Sequence, residues 1–158
     1  MTLNDIITKF DTIKKEWSKD SQIDFQFKGK EYTEDLGRIA LNIPYQHNKY
    51  LNYYTDFSHI KTMTEIQLRR TTKEKREYYS GEADARTYAE KPFGASIKTS
   101  EKMKIYLEAD DDIIAIEVKV RYADEMLKYL DQVTRMIAQR NYHVKNAIEW
   151  EKFINGEK

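Results

Sequence analysis

A basic segment followed by two adjacent tyrosines, RRTTKEKREYYSG at residues 69–81, has the residue types that bind unpaired nucleic acid. Cations spaced along a helix can neutralise successive phosphates, and tyrosine rings can stack on bases. Bases within a duplex have no free face, so this combination favours single strands. The candidate nucleic-acid-binding residues are Arg69, Arg70, Lys73, Lys75, Arg76, Tyr78 and Tyr79.

A solvated helix surface is the alternative interpretation of the same segment. Glu65, Glu74 and Glu77 can act as partial partners of the cations. Ion pairs on a protein surface contribute little to stability, so this interpretation requires no strong interaction between these side chains. Under it, the chain is a coiled-coil scaffolding or assembly protein that does not bind DNA. Saturable binding of an oligonucleotide distinguishes the two interpretations.

Three consecutive carboxylates at residues 110–112 are the feature of this sequence closest to a metal or hydrolase site. Clustered carboxylates bind hard divalent cations. Aspartates also begin helices, where they accept hydrogen bonds from free backbone N–H groups and complement the helix dipole. The three residues directly precede an apolar-periodic segment and lack the internal Gly and terminal Glu of a calcium loop. We therefore predict a helix N-terminus here.

Other signatures of catalysis and cofactor binding are absent from the sequence. The chain has no Cys, no phosphate-binding glycine loop and no serine in a nucleophile elbow. His47, His59 and His143 do not have the spacing of metal ligands on one helix face. We predict that the chain is not an enzyme and has no catalytic residue, metal or cofactor.

The net charge of zero conceals an uneven distribution along the chain. Residues 45–76 carry seven Lys or Arg and three Asp or Glu, whereas residues 77–117 carry five and ten. This excludes a uniformly basic nucleic-acid binder and favours a local cationic surface. The N-terminus lacks the apolar stretch of a signal peptide, and no stretch is long and apolar enough for a membrane span. We expect a soluble, intracellular protein without a membrane partner.

Hydrophobic periodicity predicts a mainly α-helical fold. A first helix covers residues 2–19, and residues 23–27 alternate between apolar and polar side chains, as in a short strand or extended arm. Pro44 is predicted to stop a short helix or turn at Ile43 and to begin a long helix that ends at Ser80.

The C-terminal half is predicted to contain an exposed loop at residues 80–96, a helix at 97–109 and a long helical stretch after residue 112. Apolar residues of this stretch recur at alternating steps of three and four, a spacing typical of helices that associate. We predict an interface between copies of the chain through Leu127, Leu130, Ile137, Val144, Ile148, Trp150, Phe153 and Ile154.

The predicted organisation is a single helical domain with three parts. Residues 1–43 form an N-terminal helix and arm. Residues 44–96 form a long helix with a basic end and an exposed loop. Residues 97–158 form the helices of an oligomeric ring.

Four motifs resemble the UvsY family, the recombination mediators of T-even-type bacteriophages. They are IPYQHNKYL at 43–51, EYYSG at 77–81, YLEADDD at 106–112 and NAIEWEKFINGEK at 146–158. Their order and spacing together are specific, and the resemblance extends from about residue 40 to the end of the chain.

The resemblance implies a small helical protein that assembles into a ring, a heptamer in the best-known member. It implies binding to single-stranded DNA coated with a phage single-strand-binding protein, and loading of the phage recombinase, in the cytoplasm of the infected host cell. The family's DNA-contacting basic residues precede the paired tyrosines and correspond here to Lys73 and Lys75, with Arg76 adjacent. Its assembly segment corresponds to residues 144–154. The predicted function is thus a recombination mediator, with the scaffolding protein as the alternative.

Overall fold

Five helices make up the structure, a computed structural model that describes residues 2–22 and 31–156, without the side chains of residues 31–35. The described residues contain no β-strand, so the prediction of a mainly α-helical fold is confirmed. The extended arm predicted at residues 23–27 lies outside the described residues. The helices are α1 (Leu3–Asp20), α2 (Glu31–Ser80), α3 (Ala85–Glu90), α4 (Ser100–Glu108) and α5 (Asp111–Ile154).

Helix α1 begins where local sequence signals place it. Thr2 and Asp5 form a capping box: the Asp5 backbone N–H donates to the Thr2 hydroxyl, and the Thr2 N–H donates to the Asp5 carboxylate over 2.7 Å. Ile6 and Ile13, seven residues apart, are buried on one face of the helix. The helix predicted at residues 2–19 is confirmed.

The chain divides into two compact units. The first contains residues 1–58 and 125–158, and the second contains residues 59–124. The basic segment, the short helices α3 and α4, and the start of α5 all belong to the second unit.

The core of the first unit consists of apolar residues from α1, α2 and α5. Buried residues of α2 recur at intervals of seven, as do those of two neighbouring rows on α5, which is the spacing of helices packed side by side. The α2 residues are Leu36, Ile43, Tyr50 and Phe57. The α5 residues are Met126, Leu130, Val133, Ile137 and Val144.

Pro44 lies inside α2, so the helix end predicted at Ile43 is wrong. A proline within a helix removes one backbone hydrogen bond and costs about 3 kcal/mol or more. Here the buried residues Ile43 and Tyr50 fall on both sides of the proline in one continuous apolar row. Tertiary packing of this row outweighs the local cost, because breaking the helix would separate its two halves from one core.

Three of the residues predicted to contact another copy are instead buried within the protomer. Leu130, Ile137 and Val144 form part of the core of the first unit, and Leu130 and Ile137 have no exposed surface. The heptad pattern correctly indicates a packing face, but its partner in the structure is the same chain. These three side chains are therefore not available to a second copy, which corrects their assignment.

The remaining predicted interface residues lie nearer the surface. Leu127 and Ile148 are half-buried. Trp150, Phe153 and Ile154, at the end of α5, are exposed, and the rings of Trp150 and Phe153 stack with centroids 5.8 Å apart. Their contact with another copy stays a prediction. None of the helices within the described ranges combines the length and apolar character needed to cross a membrane.

The second unit contains an element that the sequence did not predict. Residues 80–96, predicted to be an exposed loop, include the short helix α3, which Asp84 begins by accepting a hydrogen bond from the Thr87 N–H over 2.7 Å. The predicted helix at residues 97–109 is present as α4. Ile97, Met103 and Ile113 are among the buried residues of this unit.

Candidate nucleic-acid interface

The basic residues predicted to bind nucleic acid occupy the last three turns of α2. Arg69, Arg70, Lys73 and Arg76 are exposed, and the Lys73 side chain is 78% exposed. The interleaved glutamates contact this segment only weakly: the Lys73 ammonium lies 3.6 Å from the nearest Glu77 oxygen. Four cations within eight residues therefore face solvent along one stretch of helix.

Lys75 differs from the other cations because it forms ion pairs with the start of α5. Its ammonium nitrogen lies 2.9 Å from Oδ2 of Asp110 and 2.5 Å from Oδ2 of Asp112. The side chain of Lys75 is 22% exposed, compared with 4% for Asp110 and 61% for Asp112. In this structure Lys75 is thus paired with carboxylates of its own chain.

Asp110 directly precedes α5 and caps its N-terminus. Its Oδ1 atom accepts hydrogen bonds from the backbone N–H groups of Asp112 and Ile113, at 3.0 and 3.3 Å. The prediction that the three aspartates mark a helix N-terminus is confirmed. No group of three or more possible metal-ligating side chains is arranged to hold an ion among residues 2–22 and 31–156.

The second oxygen of Asp110 connects the paired tyrosines to the same network. The Tyr79 hydroxyl donates to Oδ2 of Asp110 over 2.7 Å. Partial burial and this hydrogen bond raise the pKa of Tyr79 to about 12. Tyr79 therefore stays protonated and acts as a donor at any physiological pH.

Opposing effects set the pKa values of Asp110 and Lys75. Burial raises the pKa of Asp110, but hydrogen bonds from Lys75, Tyr79 and the Ile113 backbone outweigh burial, so the pKa lies below its ordinary value. Burial lowers the pKa of Lys75, but hydrogen bonds to Asp112 and Asp110 outweigh it and hold the pKa above its ordinary value. Both groups are charged at neutral pH.

An aromatic cluster surrounds the two tyrosines at the end of α2. Tyr78 stacks on Tyr88 of α3, with centroids 5.6 Å apart and planes 19° apart. Tyr79 meets Tyr106 of α4 edge to face at 5.4 Å, and Phe93 contacts Tyr78, Tyr79 and Tyr106. Four of the five rings are half-buried, whereas Tyr106 is 43% exposed.

Hydrogen bonds to backbone carbonyl groups attach the segment after α2 to this cluster. The Tyr88 hydroxyl donates to the Tyr78 carbonyl over 2.8 Å, and the Tyr78 hydroxyl donates to the Lys91 carbonyl over 3.2 Å. The Ile97 N–H donates to the Tyr79 carbonyl over 2.9 Å. The segment predicted to be an exposed loop thus covers one face of Tyr78.

Gly81 makes the turn out of α2 possible. Its φ of 87° lies in the left-handed region, and the Glu82 N–H donates back to the Glu77 carbonyl over 2.9 Å, as in a Schellman motif. Ser96 fixes the far side of the turn by donating its hydroxyl to the Ser80 carbonyl over 2.6 Å.

Sequence reasoning identified the cations and the paired tyrosines but missed the partners that position them. Tyr88, Phe93 and Tyr106 come from three later segments, and nothing in their spacing signals a common cluster. The pairing of Lys75 with Asp110 was also missed, although a basic segment followed by a DDD sequence was a usable signal of charge complementarity.

Comparison with known proteins identifies the family to which this chain belongs. The family described as "Recombination, repair and ssDNA binding protein UvsY" matches the chain over residues 16–157. The chain belongs to the UvsY family. The resemblance predicted from the four sequence motifs is confirmed, and single-stranded DNA binding in recombination and repair is the function that describes the UvsY family.

Crystal structures of a UvsY protein share the fold. The recombination mediator protein UvsY of bacteriophage T4, in lattice type IV, aligns with a TM-score of 0.74 at 22% identity over 91% of this chain and 98% of that chain. The lattice type II structure of the same protein aligns with a TM-score of 0.72 at 20% identity, over 92% and 96%. At such identities the likeness shows a shared fold. No curated protein sequence matches the chain significantly.

Proposed function

We propose that this UvsY-family protein is a recombination mediator that binds single-stranded DNA through the exposed cations at the end of α2. The observation that carries the proposal is the solvent-exposed group of Arg69, Arg70, Lys73 and Arg76 beside an aromatic cluster. The family description supports the choice of ligand. The protein acts without catalysis, in the cytoplasm of the infected host cell.

Phosphate contacts come first in the proposed mechanism. Arg69, Lys73 and Arg76 fall at i, i+4 and i+7 of α2 and share one helix face, so a single strand passing along this face meets three cations. Lys75, which is paired with carboxylates, is not among the primary contacts. Each neutralised phosphate releases counterions, which makes the binding sensitive to salt.

The bases contact the aromatic cluster. Tyr106 is its exposed ring, and Tyr79 and Phe93 hold it in place by edge contacts at 5.4 and 6.1 Å. A ring fixed in this way loses little conformational freedom when a base stacks on it. In this mechanism Tyr78 and Tyr79 support the stacking surface from within the cluster.

Assembly multiplies these contacts. A protomer offers few cations, and linking several copies raises avidity steeply without any new type of contact. The exposed apolar residues at the end of α5, Trp150, Phe153 and Ile154, are the candidate contacts of a homo-oligomeric ring, a heptamer. A ring of this kind would hold DNA while the phage single-strand-binding protein is displaced and the phage recombinase is loaded.

Charge reversal tests the DNA site. The double variant Lys73→Glu, Arg76→Glu should bind a fluorescent oligonucleotide at least tenfold more weakly than the wild type at low salt. Its log–log salt slope should be shallower by about 0.7 for each phosphate that the variant no longer neutralises. The matched control is Arg86→Glu, Arg135→Glu, which reverses two exposed helix cations elsewhere.

The outcomes separate the candidate functions. Equal reductions of affinity in the two double variants, or an unchanged affinity and slope, would move the site away from α2. No saturable binding by the wild type would favour the scaffolding protein. Recombinase filament formation on DNA coated with single-strand-binding protein, measured with and without this protein, tests the loading step.

A further inference from the structure

Asp112 is an exposed carboxylate whose side chain contacts the network through Lys75. Its Oδ2 atom lies 2.5 Å from the Lys75 ammonium, and 61% of its side chain is exposed. Asp110, 4% exposed, holds the same ammonium from the buried side at 2.9 Å. Lys75 is therefore paired on an inner side by Asp110 and on an outer side by Asp112.

The two aspartates have different structural roles. Asp110 caps α5 and also accepts from Tyr79, so the fold depends on it. The Asp112 carboxylate accepts none of these bonds; only its backbone N–H takes part, as a donor to Asp110. Removing the Asp112 charge therefore leaves the cap intact.

We propose that Asp112 is an affinity-setting residue that competes with DNA phosphate for Lys75. An ammonium has three N–H donors, so Lys75 can keep Asp110 and turn another donor to a phosphate oxygen. In the free protein the Asp112 carboxylate takes the outward position that a phosphate would need. A strand that engages Lys73 and Arg76 and then crosses α2 to Lys75 thus meets a cation already paired with a charge of the same sign as its own.

The ion pair between Asp112 and Lys75 is weak enough for a DNA phosphate to displace it. Ion pairs with an exposed partner contribute little to stability and weaken with salt, so a phosphate can replace Asp112 as the partner of Lys75. The inference rests on the proposed function, because it assumes that a strand bound to the cations at the end of α2 also reaches Lys75. It predicts that removing the Asp112 charge strengthens DNA binding more than removing a neighbouring charge that is not paired with Lys75.

The test compares Asp112→Asn with Asp111→Asn. Both residues are exposed, both lie in the first turn of α5, and both substitutions remove one negative charge from the start of this helix. The ammonium of Lys75 pairs with Asp110 and Asp112 and not with Asp111. Differences between the two variants therefore measure the effect of the ion pair between Asp112 and Lys75.

Oligonucleotide binding is measured by anisotropy across a series of salt concentrations. Asp112→Asn should bind about two- to fivefold more tightly than Asp111→Asn at low salt. Its salt slope should be steeper by about 0.7, the contribution of one additional phosphate contact. In a Lys75→Met background the two aspartate variants should bind equally.

Amine labelling provides a second measurement that does not depend on the Lys75→Met variant being folded. Lys75 should react slowly with an acylating reagent in the wild type. In Asp112→Asn it should react faster in free protein and become protected when the oligonucleotide is added.

Each outcome is decisive. Equal affinity and slope of the two aspartate variants, with normal DNA binding by the wild type, would overturn the inference alone. Lys75 labelling in Asp112→Asn that DNA does not change would also overturn it. Failure of all variants to bind DNA would overturn the proposed function together with this inference.

Discussion

Tyr79 and Asp110 are joined by a hydrogen bond of 2.7 Å between the last turn of α2 and the residue that caps α5. The same carboxylate oxygen accepts from Lys75, while the other oxygen accepts from two backbone N–H groups. One nearly buried side chain thus connects the proposed DNA-binding segment to the start of the following long helix. Buried polar networks of this kind are costly to break at a single member.

Truncation of Asp110 should destabilise the second unit. Asp110→Ala removes the cap and leaves Lys75 and Tyr79 without their inner partner, and we expect a decrease of about 2–4 kcal/mol in the free energy of unfolding. Asp111→Ala, which removes a neighbouring exposed carboxylate, should cost less than about 1 kcal/mol. Urea unfolding followed by circular dichroism, at one protein concentration, measures both. Equal effects of the two substitutions would contradict a special role for Asp110.

Acid should weaken the contribution of Asp110 in a defined direction. Because its pKa in the folded protein lies below the ordinary value of 3.8, its charge stabilises the fold above about pH 3.8, and this contribution disappears as the pH falls through the folded pKa. The difference in unfolding free energy between wild type and Asp110→Asn should therefore be largest near neutral pH and shrink towards zero at low pH. A difference that is constant between pH 7 and pH 3 would show that charge does not stabilise this site.

Local signals predicted the elements that local interactions determine. The start of α1 depends on Thr2 and Asp5, and the start of α5 on Asp110; in both cases a capping residue satisfies nearby N–H groups. The continuity of α2 through Pro44 could not be predicted in this way. It depends on packing against helices that are distant in sequence, which the local preference of proline does not register.

The sequence also did not show which part of the structure would cover each predicted surface. An apolar heptad row shows that a helix is covered, but it does not say whether another helix of the same chain or a second copy covers it. Leu130 and Ile137 proved to face their own core. Likewise, the sequence around Lys75 predicted a basic surface. Only the fold shows that Asp110 and Asp112, more than thirty residues later in the chain, form ion pairs with Lys75.

The turn after α2 should not tolerate a side chain at Gly81. Alanine in the left-handed region costs about 1–2 kcal/mol, and its Cβ would lie 3.3 Å from the Ser96 hydroxyl oxygen. We therefore expect Gly81→Ala to lower the free energy of unfolding by about 1–2 kcal/mol. Gly94 is the matched control, because a Cβ there would meet nothing within 4 Å and its φ is not positive. If the two alanine variants are equally stable, the turn does not constrain this segment.

Replacement of Tyr106 should separate base stacking from phosphate binding. Tyr106→Leu keeps an apolar side chain but removes the ring, and stacking on an aromatic side chain is worth about 1–3 kcal/mol per base. We expect affinity for a thymidine oligonucleotide to fall about fivefold or more, with an unchanged salt slope, because every phosphate contact is retained. Tyr106→Phe should bind like the wild type, and Tyr142→Leu, at an exposed tyrosine outside the cluster, should have no effect. An abasic oligonucleotide provides the stricter comparison: the wild type should bind it more weakly than the thymidine strand, whereas Tyr106→Leu should bind both alike. If Tyr106→Leu still prefers the strand with bases by the wild-type margin, the bases contact some other surface.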